Sequence, residues 1–256
     1  MNDVFYMNGH DCVYGFPALR SYGNWYNLAI VRVLYVWMDT IHNKFYLFLL
    51  DRYRYKMAAV VPQRLVQSYI GRNLSGRLIT ISHFQIDALL DDYLRYQGYS
   101  FIRDQEVIDI SDHTIVTTRP EYLRSLFPMY PFVSNISFLV SDRTRRRMLI
   151  DVVGKIVHGQ RISNGLSECY FWITLQDATG NMINLKLYDT YATRNLLRTY
   201  LAIKRKAIIF VSMVKLVHTL SVDDNPVNIL VSTEISEMVV NPNMPEAVQL
   251  RILYNN

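Results

Sequence analysis

The strongest constraint on the fold is an element order that occurs twice. Apolar and polar residues alternate in short runs, with almost no long stretch at helical spacing, so most of the chain reads as half-buried strands. In the first half, strands are expected over Asn27–Met38, Lys44–Leu50 and Tyr53–Val61. A short helix over Pro62–Asn73 follows, then strands over Arg77–Ile86 and about Ser100–Ile110. Pro62 suits a first helical position, and Gly71 or Gly76 can end the helix. The second half repeats the order: Leu149–Val157, Glu168–Gln176, Asn181–Tyr188, a helix over Thr190–Ala202, then Ala207–His218 and Val227–Met238. Polar turns at Asp51–Arg54 and Asp177–Asn181 mark matching hairpins between second and third strands.

Three strands, a helix and two strands in about 100 residues is the order of a five-stranded OB barrel. The expected fold is therefore all-β: two tandem five-stranded OB-fold barrels, each with a short helix between strands three and four. Residues 1–21 read as an N-terminal extension, 22–118 as the first barrel, 119–136 as a linker carrying Pro120, Pro128 and Pro131, 137–245 as the second barrel, and 246–256 as a C-terminal tail.

Composition removes several alternatives. Half of the 256 residues are hydrophobic and 13% aromatic, which is too apolar for a disordered chain. The longest apolar runs, Leu28–Met38 and Phe45–Leu50, are respectively broken by Arg32 and too short for a membrane span, and no secretory signal opens the chain, so a soluble protein without a membrane partner is expected. Cys12 and Cys169 supply neither a disulfide framework nor a four-cysteine zinc site. The net charge of +5 permits an anionic partner. Residues 1–140 hold 13 Lys or Arg against 12 Asp or Glu, and residues 141–256 hold 14 against 10, so the excess lies in the second half.

Four segments of the second half carry a resemblance: Asp151–Ile156, Leu175–Asn181, Leu185–Ala192 and Asn241–Arg251, the last reading Asn-Pro-Asn-Met-Pro-Glu-Ala. Together they resemble the second DNA-binding OB domain of the large subunit of replication protein A, the eukaryotic single-stranded DNA-binding protein. The first half is similar, more weakly, to the preceding OB domain, especially in divergent plant large-subunit-like proteins. The resemblance covers about residues 22–250. It implies a single-stranded DNA partner (RNA is not excluded), replication or repair proteins as further partners, roles in DNA replication, repair or recombination, and a nuclear location. The family's protein-recruiting N-terminal OB domain and its C-terminal zinc-bearing OB domain find no counterpart here, so heterotrimer assembly by the usual route is not expected.

Single-strand binding by an OB barrel needs aromatic faces for bases and cations for phosphates. If Ile183, Leu185 and Leu187 face the barrel interior, Asn184, Lys186 and Tyr188 turn outward. Burying Phe171, Ile173 and Leu175 likewise exposes Tyr170, Trp172 and Thr174. The resemblance puts Tyr188 at a stacking Trp and Lys215 at a strand-contacting Arg, while the loop Leu216–Asn228 lacks the family's second stacking aromatic. Tyr188 and Trp172 could alternatively cover a hydrophobic edge. In the first barrel the same alternation turns Phe45, Leu47, Leu49, Tyr55, Met57 and Ala59 inward, and Tyr46, Phe48, Leu50, Arg54, Lys56, Ala58 and Val60 outward. Lys56 matches a DNA-contacting Arg and Val60 a stacking Phe. Tyr96, Tyr99 and Phe101 could supply the missing ring or merely tuck their connection onto the barrel. Arg54, Lys155 and Arg161 complete the expected phosphate contacts. The runs Arg143–Arg147 and Lys204–Lys206 read by default as solvated faces.

No chemistry is legible. The six histidines stand singly, and no phosphate loop or nucleophile motif occurs, so neither a metal nor a cofactor nor catalysis is expected. The competing expectation is a degenerate paralogue whose barrels serve as a protein-interaction scaffold.

Overall fold

The computed structural model describes residues 4–7, 10–13, 16, 28–40, 43–88, 106–120, 127–141, 149–163, 169–188, 196–221 and 224–254. They divide into two compact units, Met1–Phe132 and Val133–Asn256. Among the described residues, no helix is long and apolar enough to cross a membrane.

In the first unit, β1 (Val4–Met7) and β2 (His10–Val13) form a hairpin that joins β3 (Leu28–Asp39) through the parallel pairs Cys12↔Leu28 and Val13↔Ala29. β4 (Lys44–Leu50), β5 (Lys56–Val61), a 3-10 turn leading into α1 (Val66–Ile70), β6 (Leu78–Ser82), β7 (Gln85–Ala88), β8 (Glu106–Asp109) and β9 (Ile115–Thr118) follow. β3 pairs antiparallel with β4, β4 with β5, and β5 parallel with β8, while β6 returns to β3 and β7 to β8. β6 and β7 are one strand broken at His83, which takes a φ of 58°. The ring therefore closes in the order 1-2-3-5-4 of an OB barrel.

The second unit repeats it: α2 (Ile136–Ser141), β10 (Ile150–Ser163), β11 (Cys169–Gln176), β12 (Met182–Tyr188), α3 (Leu196–Lys204), β13 (Ile208–Leu220), β14 (Pro226–Val231), β15 (Glu237–Val240) and α4 (Pro245–Tyr254). The sheet order β10-β11-β12-β14-β13 closes through β10–β13. The fold is all-β, two five-stranded OB barrels with a helix between third and fourth strands, as the element order predicts.

Each first strand is long enough to pair with two neighbours because a bulge bends it, between Val33 and Tyr35 in one copy and between Ile156 and His158 in the other. Each unit has its own core. The first gathers Phe45, Leu47, Leu49, Met57, Ile79 and Ile108, the second Phe171, Ile173, Leu185, Leu187, Val211 and Leu230.

Several expected elements differ in detail. The third strand begins at Lys56, not Tyr53, because the buried Asp51 carboxylate accepts hydrogen bonds from the N–H groups of Phe16, Tyr53 and Tyr55 and holds a turn in which Arg54 has a φ of 71°. The expected strand Val227–Met238 is two strands. Its break contains Thr233 and Ser236, whose hydroxyls both donate to the Met213 carbonyl, and β15 then pairs back onto β13. In the segment 119–136, Phe127 is buried with Ile30 and Leu78, and Arg32 donates to the carbonyls of Phe127, Pro128 and Gly76. In the 246–256 tail, α4 buries Ala247 and Leu250, and its Tyr254 hydroxyl donates to the Asp177 carbonyl at 2.7 Å.

Candidate nucleic-acid interface

Directly opposed residues on paired strands point to the same face, so the register decides which side chains meet. In the second barrel Phe171, Ile173, Leu175, Ile183, Leu185 and Leu187 enter the core, as the alternation requires. The outer face is then ordered in rows across the sheet. One row is Ile162, Tyr170 and Tyr188. The next is Gln160, Trp172, Lys186, Val231 and Lys215. A third is His158, Thr174, Asn184, Ile229 and Val217.

The aromatic part of this face is a connected cluster. The Tyr170 ring lies 6.5 Å from Trp172, nearly edge-on, and 6.4 Å from Tyr188. Lys186 Nζ sits 4.2 Å from the Tyr170 ring centroid and 4.4 Å from that of Tyr188, so both rings face a cation. Tyr188 is 36% exposed. Its N–H donates to Ser232 Oγ at 2.9 Å, and the Ser232 N–H donates to the Lys186 carbonyl at 2.9 Å, which anchors the end of β12. The Thr174 hydroxyl donates to Asn184 Oδ1 at 2.9 Å and orients that amide. Lys215 is half-buried, and desolvation pulls its pKa below the ordinary lysine value. The face offers ring surfaces, an amide, and two ammonium groups flanking Val231.

Five of the expected site residues, Trp172, Asn184, Lys186, Tyr188 and Lys215, thus come together. Tyr170 belongs with them; alternation already turned it outward, but its pairing with Tyr188 becomes visible only in the register. Other expected contacts lie elsewhere. Arg161 is opposite Phe171, on the core-facing side at the end of β10, because the bulge reverses the alternation; its Nε–H donates to Cys169 Sγ at 2.8 Å. Lys155 is on the outer face at the other end, where its Nζ lies 4.3 Å over the Tyr254 ring. Arg54 donates to the carbonyls of Tyr130 and Pro131 and lies over the Phe132 ring. Lys56 opens β5, half-buried and opposite Leu50. Tyr96, Tyr99, Phe101 and the Arg143–Arg147 run lie outside the described residues.

The first barrel's corresponding face is different. Tyr46, Phe48 and Leu50 leave the core as expected, yet they are 0–1% exposed. Tyr35 stacks on Phe48 at 4.6 Å and Trp37 on Tyr46 at 5.3 Å, so rings of this face lie against one another. Ala58, expected outward, is also buried, and Tyr55, expected inward, is exposed in the turn beside Phe132. The open face belongs to the second barrel. Among the described residues, no group of three or more His, Cys, Asp or Glu is placed to hold a metal ion.

Residues 136–222 match a family described as a domain of unknown function, DUF8448. No curated protein matches the chain in sequence. Among solved structures, a chain of a replication protein A heterotrimer bound to single-stranded DNA superposes over 95% of this chain with a TM-score of 0.57 and 18% identity. This chain spans 55% of the length of that one. At such identity the likeness establishes the fold alone. Fission yeast Pot1 with single-stranded DNA is a more distant match, with a TM-score of 0.35, 8% identity, and 99% and 96% of the two chains covered. The tetrameric p202 HIN2 domain gives a TM-score of 0.40 at 15% identity, covering 85% of this chain and 96% of that one.

Proposed function

We propose that this chain is a single-stranded DNA-binding protein of the replication protein A large-subunit type, and that the second barrel carries the binding face. The observation behind this reading is the outward-facing cluster of half-buried Tyr170, Trp172 and Lys186 with the exposed Tyr188, and Lys215 across Val231. Bases stack on the rings, and Lys186 and Lys215 neutralise the phosphates that follow. The likeness of the fold to a chain that was determined with single-stranded DNA supports the same reading. Stacking and charge do not discriminate sugar, so an RNA strand is a competing ligand on the same face. The protein acts without catalysis, in the nucleus, in DNA replication, repair or recombination alongside proteins of those processes.

A protein-interaction scaffold is the second reading. It is favoured by the covered outer face of the first barrel and by the absence of any Phe, Tyr or Trp in Leu216–Asn228. Fluorescence anisotropy with labelled oligo-dT at low salt decides between them. Saturable binding at micromolar protein, with oligo-U as competitor, is the expected result; its absence leaves the scaffold.

A further inference from the structure

α3 is apolar on two sides, and only one of them packs on the barrel. Thr199 and Ala202 are buried, and Ile203 lies against the second core. The other side presents Leu197, Tyr200 and Leu201 at i, i+3 and i+4, which are 73%, 47% and 40% exposed, with Leu196 beside them at 37%. A helix that is apolar all round is normally buried all round, and a contiguous exposed apolar ridge rimmed by polar residues marks an interaction surface. The rim here is cationic. Lys204 continues the stripe, Arg198, Arg205 and Lys206 are exposed beside it, and the exposed Arg161 is hydrogen-bonded to Cys169 on the neighbouring strand. The described segments that meet at this end of the barrel, 159–163, 169–172 and 196–208, hold these five cations and no Asp or Glu.

We propose that α3 is a docking site for an acidic amphipathic helix of a partner protein, whose apolar side chains cover Leu197, Tyr200 and Leu201 while its carboxylates meet Arg161, Arg198 and Lys204. Charge complementarity selects this occupant. A second copy of the chain would oppose the same cations with like charge, and a nucleic acid strand would engage the cations while leaving the leucines uncovered. The surface is distinct from the aromatic strand face. Tyr200 packs edge-on against Phe171, a core residue, whereas Tyr170 and Trp172 point the other way from the same strand. Helix docking is therefore independent of single-strand binding and survives if that reading fails.

The test titrates the full chain into a fluorescein-labelled synthetic helix with Glu on one face and Leu and Phe on the other. The same helix with Lys in place of Glu, oligo-dT, and vesicles of phosphatidylserine and phosphatidylcholine form the comparison arms. The acidic helix binds saturably, Leu197→Glu and Arg198→Glu each weaken it about tenfold or more, and saturating oligo-dT leaves it unchanged. Leu197→Ser, a milder change at the same exposed site, weakens it in the same direction with unchanged melting behaviour. Equal binding of the Lys helix, competition by oligo-dT, binding of the vesicles in place of the acidic helix, or no saturable binding overturns the proposal.

Discussion

Replacing Tyr188 by alanine removes a ring from the open face while leaving the strand's anchor in place, because the bond to Ser232 Oγ comes from the backbone N–H. A base stacked on an aromatic side chain contributes about 1 to 3 kcal/mol by alanine substitution, so single-strand affinity should fall roughly 5- to 150-fold. The stability cost is smaller than that of a core truncation. The ring pairs with Tyr170 at 6.4 Å and takes the Lys186 ammonium at 4.4 Å, contacts worth about 0.5 to 1.5 and about 0.5 to 1 kcal/mol at a partly exposed site. Leu187→Ala is the contrasting change: Leu187 is fully buried in the barrel, and its truncation should cost about 2 to 5 kcal/mol of stability. Tyr188→Trp enlarges the stacking surface and should hold or improve affinity. Anisotropy with labelled oligo-dT, read beside a thermal melt of each variant, separates the two effects. Wild-type affinity in Tyr188→Ala, with a melting midpoint close to the parent, would falsify the stacking role.

Salt dependence should be shallow for an OB protein: with Lys186 and Lys215 as the cations of the face, log affinity falls by about 1.4 per decade of salt, or about 2 if a third phosphate contact forms, and a slope beyond 3 would mean that other cations take part. Burial lowers the Lys215 pKa, so in the window between that value and 10.5 the unfolded chain keeps a proton that the folded one has lost. Stability relative to Lys215→Met should therefore be lowest at neutral pH and rise as pH climbs through the window; melts from pH 7 to 10.5 that show a constant gap would contradict this. Arg32→Ala leaves the carbonyls of Gly76, Phe127 and Pro128 without their donor and should cost at least about 3 kcal/mol in the first unit, seen as a shifted urea midpoint. A Cβ on Gly159 would lie 2.9 Å from Ile203 Cγ1, so Gly159→Ala must shift the Ile203 side chain and should destabilise the second unit by about 1 to 3 kcal/mol; an unchanged midpoint would show that Ile203 can move freely.

The element order was legible because a two-residue period is a local property. Each strand of β11 and β12 sorts its own residues into core and outer face without reference to the rest of the chain. Trp172, Asn184, Lys186 and Tyr188 were placed correctly on that basis, and so was the doubled barrel, since two copies of one order repeat the same local signals. Non-local effects decided the rest. The bulge after Ile156 adds one residue to β10 and sends Arg161 to the core-facing side, and no alternation pattern announces such an insertion. The Asp51 carboxylate, by accepting three backbone N–H groups, turns Arg54 out of the strand that its neighbours suggest. Lys186 and Lys215 share a face only because β12 and β14 pair in parallel and β13 pairs with β14, contacts between segments far apart in the chain. Equal alternation in the strands of the two barrels also gave no hint that Tyr46 and Phe48 are covered while Tyr188 stays accessible. Period decides the face a side chain points to, whereas its exposure depends on what the folded chain lays over that face.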